Sequence, residues 1–368
     1  MPPDGAYLFD LVRDYADLGD HRTGTAVDRA TLAWFAGRLA EIGAHVDLLD
    51  FDFPRFTGSW HLSRDGSPVE ALPLYYQSRG SLNGVSPAVA EIDADRGEAA
   101  VSANIEQEIE RASAAGHKAL VLATRCETDG LVAKNRTLQE ADGIATFLVA
   151  GVEAHGSHQA EWRLTCDLNL EPGRSATVIG KFASCEGPND LPPWVITTPL
   201  SGWFRCAGER GTGIALCLHL ARFCARAQRP LWIIAPSGHE LGYMGAYRFL
   251  ETYQSPVQGV FHIGSSVACH GRQLRLTANL PGEKKEPLRA AAARLGAAFV
   301  VPKSSLNPGS WWGESECWAP RGHPMVSIAG WAPHFHTPMD LPELVTSPDL
   351  LIETASNLLR IGQVLFDD

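Results

Sequence analysis

An α/β fold with a mostly parallel central sheet and helices on both faces follows from three features of the sequence. Short apolar runs alternate with helix-like stretches from Trp194 to the C-terminus. Several of these runs end in Gly- or Pro-marked turns, as at Pro236 and Gly238. With 368 residues and 45% hydrophobic content, the chain can bury a large core.

Two helices are predicted first, Leu8 to Leu18 and Ala26 to Ile42, the second with apolar residues at 32, 33, 35, 36, 39, 40 and 42, and a strand follows from Val46 to Phe53. From Gly58 to about Phe182 the character changes. Short apolar runs such as 119–123 and 147–150 are broken by Gly, Asn and Asp, with one helical stretch from Ile105 to Ala115. This pattern predicts a small β-rich module, 58–182, inserted into a host domain made of 1–57 and 183–368. In the host domain, strands are predicted at 194–198, 231–235, 259–263, 297–301 and 325–328. Helices are predicted at 213–227, 242–253 and 286–295, and a closing amphipathic helix at 350–365.

The net charge of -11 and the lack of a basic run interleaved with aromatics argue against nucleic-acid binding. No stretch reaches the roughly 18 apolar residues of a membrane helix, and the N-terminus lacks a basic-then-apolar leader. The expectation is a soluble, cytoplasmic protein with a small-molecule or peptide substrate and no membrane partner; a homo-oligomer is compatible with this reading. The eight cysteines (126, 166, 185, 206, 217, 224, 269, 317) have no CxxC or paired spacing, which predicts reduced, mostly buried thiols.

The stretch Ser237-Gly238-His239-Glu240-Leu241-Gly242-Tyr243 directly follows the apolar run 231–235. Sites in open α/β sheets form at the carboxyl ends of strands, so an adjacent His and Glu carry most weight there. Tyr243 stands where a helical metalloprotease motif would need a second His, so other ligands must come from distant positions. Glu209 before a helix, His262 at the end of a strand, and His336 in His334-Phe335-His336-Thr337-Pro338-Met339-Asp340 fall at equivalent places. Singly, a Glu before a helix suits the helix dipole and a His in an apolar strand suits the core. Jointly, Glu209, Glu240 and His336 make a three-ligand set for a catalytic zinc with an open position.

From Thr198 through Phe249 the sequence resembles the zinc aminopeptidase family that also contains the glutaminyl cyclases. His336-Thr337-Pro338-x-Asp340 resembles the loop carrying that family's last metal-binding His, and Asp20-His21-Arg22-Thr23-Gly24-Thr25 its opening segment. The 58–182 region is similar to a protease-associated domain. The resemblance implies a metal-dependent hydrolase of an amide or peptide bond. It also shows departures. The family's His-x-Asp pair corresponds to Pro199 and Ser201, its later Asp to His262, its bridging Asp to Glu209, and its catalytic Glu to His239.

One divalent ion is therefore expected on Glu209, Glu240 and His336, zinc first, with iron, manganese or nickel as alternatives. His239 is the expected general base, its unperturbed pKa of about 6.5 suiting that task. His262 is either a further ligand or, with His239, part of a His-rich site. Glu316 joins His239 as a catalytic candidate. Trp311, Trp312, Trp318 and Glu314 are expected to wall and grip the substrate. Two alternatives remain open: a glutaminyl-cyclase-type intramolecular reaction or small-amide hydrolysis on the same site, and a catalytically degenerate binding protein.

Overall fold

A computed structural model describes residues 4–95, 98–128, 130–135, 143–154, 159–183, 191–224 and 230–366. The elements in chain order are α1 (Gly5–Asp17), α2 (Ala26–Ile42), β1 (His45–Arg64), β2 (Ser67–Val69), β3 (Ala71–Pro73), β4 (Gly80–Val85), β5 (Ala88–Asp93), α3 (Glu98–Ala114), β6 (Ala119–Arg125), β7 (Ala145–Ala150) and β8 (Trp162–Phe182). They continue as β9 (Trp194–Thr197), α4 (Thr212–Cys224), β10 (Leu231–Pro236), α5 (Met244–Thr252), β11 (Gly259–Ile263), β12 (Gln273–Ala278), α6 (Gly282–Arg294), β13 (Ala298–Val300), β14 (Met325–Trp331), α7 (Pro342–Val345) and α8 (Pro348–Phe366). The predicted continuation of α4 to residue 227, and Cys185, lie outside the described residues.

The chain forms two compact units. The first comprises Met1–Phe51, Ser175–Phe335 and Met339–Asp368, and the second Asp52–Arg174 and His336–Pro338. The long strands β1 and β8 have residues in both.

In the first unit the strand order is β13-β12-β14-β11-β9-β10-β8, followed by the start of β1. β14, β11, β9 and β10 run parallel, while β12 and β8 pair antiparallel at either side. Side chains alternate faces along each strand. Ile196, Ile233 and Phe261 join α1, α2, α4 and α8 in one core, while Val195, Ile234 and Val260 join Phe249 and Trp318 in another. Helices thus cover both faces, as the sequence predicts. The chain passes from β9 outward to β10 and then back across to β11, so connections leave β9 on opposite sides. The carboxyl end of β9, where the chain order reverses, is the usual place for a ligand site in such sheets.

The antiparallel strand β12 was not among the predicted elements, although Gln273–Ala278 alternates polar and apolar residues over its first half. In the second unit β3-β7-β6-β5 form a four-stranded sheet whose β5, β6 and β7 are parallel. β4 pairs with the first half of β8, and β2 with the end of β1.

Candidate active site

The residues after β9, β10 and β11 build the site of the first unit. Past β10 the chain makes a sharp reversal, with Gly238 at φ 85°, a short 3-10 turn over His239–Leu241, then Gly242 at φ 75° and Tyr243 at φ 65°. Left-handed backbone is inexpensive for glycine but costs a residue with a Cβ about 1 kcal/mol or more. This turn brings Glu240 back inside, where it is 2% exposed. Its Oε1 accepts the Thr23 backbone N–H at 2.6 Å and its Oε2 the Ser201 hydroxyl at 2.7 Å. Ser201 Oγ in turn accepts the N–H groups of Gly238 at 2.9 Å and His239 at 3.1 Å. The opening segment is thereby tied to the site, since Thr23 Oγ1 also accepts the Gly238 N–H at 2.9 Å. Behind it, Asp28 accepts from Gly24 N and from the hydroxyls of Ser175 and Ser237. Burial pushes its carboxyl up to about 6, against the lowering by those hydrogen bonds.

Glu209 lies in a π-helical turn, Ala207–Gly211, that leads into α4. The turn is entered through Cys206 in the left-handed region at φ 52°. Gly208 must be glycine, because a Cβ there would meet Asp340 Oδ1 and Cys269 Sγ, each at 2.8 Å. Glu209 is 1% exposed and pairs with its neighbour, its Oε1 standing 2.7 Å from an Arg210 guanidinium nitrogen. Its Oε2 accepts the Cys206 thiol at 3.3 Å. Arg210 Nε donates to the Ser201 carbonyl at 2.9 Å. Both oxygens of Asp340 accept backbone N–H groups, from Gly208 at 2.6 Å and Glu209 at 3.0 Å. Burial raises the Asp340 carboxyl to about 7 despite those bonds, and holds the Cys206 thiol far above its ordinary range.

His239 is positioned by Glu314, with 3.0 Å between Nδ1 and Oε2, and its ring meets Tyr243 edge-on with centroids 4.9 Å apart. The His239 side chain is 11% exposed and that of Glu314 1%. Burial pushes the Glu314 carboxyl up to about 8; the Arg210 charge pulls it down and the Glu240 charge pushes it up. Glu314 Oε1 has no partner among the described residues. His262, within β11, is 1% exposed and its Nδ1 is also without a partner among the described residues. Burial lowers its pKa to about 3, with the Arg210 charge adding to the effect, so the ring is neutral.

Glu209, Glu240, His239, His262 and Glu314 all lie in the first unit and are buried or nearly so. Arg210 links several of them, through its bonds to Glu209 and Ser201 and its charge on Glu314 and His262. His336 belongs to the second unit, where its backbone carbonyl accepts the Ala133 N–H at 2.8 Å and its Nδ1 lies 3.1 Å from the Ala133 carbonyl. Trp311 and Trp318 pack in the core beside Phe249, and Trp311 Nε1 donates to the Ser305 carbonyl. Trp312 is 46% exposed, with the Arg275 guanidinium 4.9 Å above its ring. Glu314, expected to grip an amine, instead faces His239, and Glu316 is half-buried within electrostatic reach of Tyr247. The sequence reading assigned no role to Arg210, Thr23 or Ser201. A charged pair enclosed by glycines, Gly208-Glu209-Arg210-Gly211, was the available signal.

Among the described residues, the donors that gather within 4.8 Å of one another are Cys206, Glu209 and Asp340, and Glu240 is not in the group. In the observed arrangement this group does not fit a divalent metal. The carboxylate of Glu209 is met by a guanidinium and a thiol proton, and that of Asp340 by two amide protons.

No protein-family model matches the chain, and no curated protein sequence matches it. Solved structures do match. A peptidase M28 precursor from Shewanella amazonensis SB2B superimposes with a TM-score of 0.77 at 16% identity, covering 99% of this chain and 93% of that one. A zinc aminopeptidase from Bacillus subtilis gives 0.75 at 16% identity, covering 98% and 95%. The glutaminyl cyclase of Porphyromonas gingivalis gives 0.53 at 10% identity, covering 99% and 98%. The chain therefore has the fold shared by zinc aminopeptidases and glutaminyl cyclase. Among the described residues, no helix is long and apolar enough to cross a membrane.

Proposed function

We propose that the chain is an enzyme of hydrolase type acting on an amide or peptide bond of a small substrate, with His239 carrying the proton and Glu314 holding its ring. The observation that carries this reading is the 3.0 Å contact between His239 Nδ1 and the buried Glu314 carboxyl, just beyond β10. A carboxyl orienting one imidazole nitrogen fixes the tautomer and leaves Nε2 as the atom that takes a proton from the attacking group and returns it to the leaving group. Ser201, Thr23 and Glu240 fix the turn that bears His239. The fold shared with zinc aminopeptidases supports the reaction class, and the likeness to glutaminyl cyclase supports intramolecular cyclisation as the variant reaction. The expected metal-activated water is not carried into this reading, because Arg210 and the thiol and amide protons already meet the gathered donors.

The test is a screen of amino-acid amides, acylated amino acids and N-terminal glutaminyl peptides, read by product mass. Hydrolysis adds water, and cyclisation expels ammonia. Turnover lost in both His239→Gln and Glu314→Gln supports the proposal; turnover that survives His239→Gln overturns it. The partnering of both Glu209 and Glu240 within the protein favours a second reading, a binding protein. That reading predicts saturable binding of the same compounds with no product.

A further inference from the structure

We propose that Arg210 is the resident cation of this site, its guanidinium paired with Glu209 and supplying the positive charge that a divalent ion would otherwise bring to Cys206, Glu209 and Asp340. In a metal site, lone pairs converge on the centre and neighbouring donors meet the ligands from outside. Here the Glu209 carboxylate receives a guanidinium nitrogen at 2.7 Å and the Cys206 thiol at 3.3 Å, so a positive charge and a proton of the chain itself already meet it.

Arg210 is also anchored for the purpose. Its Nε is fixed on the Ser201 carbonyl, and it and Glu209 are 2% and 1% exposed, so neither has a solvated alternative to the pair. Guanidinium is suited to this because it stays charged when buried and offers several donors in a rigid plane. Ser201 and the distant Asp340 are gathered around one turn by this cation and its neighbours' amide protons. The positive charge that organises the site is therefore carried by the chain itself, and chemistry at His239 proceeds with chelator present.

The experiment measures metal content, which is independent of whether a substrate has been found. The full chain and its variants are incubated with excess zinc, and separately with manganese, nickel and iron(II), then desalted and measured by plasma mass spectrometry and by calorimetric titration. Wild type is expected to retain far less than one equivalent at these residues, with the same content as Cys206→Ser. Arg210→Ala, once circular dichroism shows it folded, is expected to take up about one equivalent that Arg210→Ala/Cys206→Ser loses. Wild type holding about one equivalent that Cys206→Ser reduces would overturn the inference. So would a folded Arg210→Ala that takes up none, since the donors would then not form a cation site at all. If Arg210→Ala does not fold, Arg210→Met serves in its place, and the wild-type comparison with Cys206→Ser still decides. Metal that persists unchanged in Cys206→Ser is located with Glu209→Gln: its loss there puts the ion on Glu209 and overturns the inference, whereas unchanged content puts it elsewhere and leaves Arg210 as the cation here.

Discussion

Removing the Arg210 charge should destabilise the first unit far more than a surface ion pair would. At the observed 2.7 Å, the pair with Glu209 is worth a gross attraction of about 6 kcal/mol at an effective dielectric constant of about 20. Burying both charges offsets much of that, so the net worth of the intact pair is small. A single truncation behaves differently, because it leaves the Glu209 carboxyl enclosed at 1% exposure without its cation. Breaking a buried pair in this way typically costs about 3–5 kcal/mol. Arg210→Met keeps most of the side-chain volume and so isolates the charge. Glu209→Gln/Arg210→Met should recover about half of the loss or more, since no buried charge remains at the pair. A chain of two units need not unfold in one step, so the assay is hydrogen exchange of α4 amides at pH 7 with increasing urea. An Arg210→Met variant within about 1 kcal/mol of wild type, or a double variant no better than the single, would refute the assignment of a buried ion pair.

Three further outcomes follow from named contacts. With a substrate from the screen, His239→Gln and Glu314→Gln should each lower kcat by about 10²–10⁴-fold, checked by steady-state kinetics on proteins with matching circular dichroism. His21 stacks on Tyr15 at 3.7 Å, with its pKa lowered by burial from 6.5 to about 3. The unfolded chain thus binds the extra proton first, and the stability that His21 contributes, complete above pH 6.5, drains away as pH falls towards 3. Relative to His21→Phe, wild type should lose about 3 kcal/mol between pH 6.5 and pH 4 in urea melts, and parallel pH profiles would contradict this. Gly245→Ala would drive a Cβ to 2.3 Å from the Ser237 carbonyl oxygen, displacing the turn that bears His239; a loss of about 1–3 kcal/mol is expected in the same melts, and a neutral result would count against the turn geometry.

The sequence made the parallel strands and their covering helices legible because buried strands are written as unbroken apolar runs. β9, β10, β11 and β14 all sit where such runs occur. The long strands β1 and β8 were hidden by their own punctuation. Pro54 and Gly58 suggest an interruption in β1, yet the strand continues to Arg64. Gly58 is there because a Cβ would stand 2.4 Å from the Asp167 carbonyl oxygen of the neighbouring strand. Composition alone also could not separate a Trp that lines a pocket from one that fills a core. Trp311 and Trp318 prove to be packing residues, whereas Trp312 is exposed.

At the site, position was legible and partnership was not. Strand ends placed Glu209, His239, Glu240 and His262 in one layer, because topology fixes where a strand delivers its next residues. Whether a carboxylate there meets a metal, an amide or an arginine depends on side-chain direction over a few ångströms, which spacing does not encode. Glu209 illustrates this: the adjacent Arg210 could have pointed to solvent, but the π-helical turn folds both side chains inward onto one another. Ser201, read from sequence as a lost ligand, turns out to organise the backbone. Its hydroxyl joins Glu240 to the Gly238 and His239 amides, while its carbonyl holds Arg210. One residue thus connects the turn that carries His239 to the turn that carries Arg210. A change at Ser201 should therefore be felt in both turns, and Ser201→Ala, which removes the hydroxyl but keeps the carbonyl, should loosen only the first.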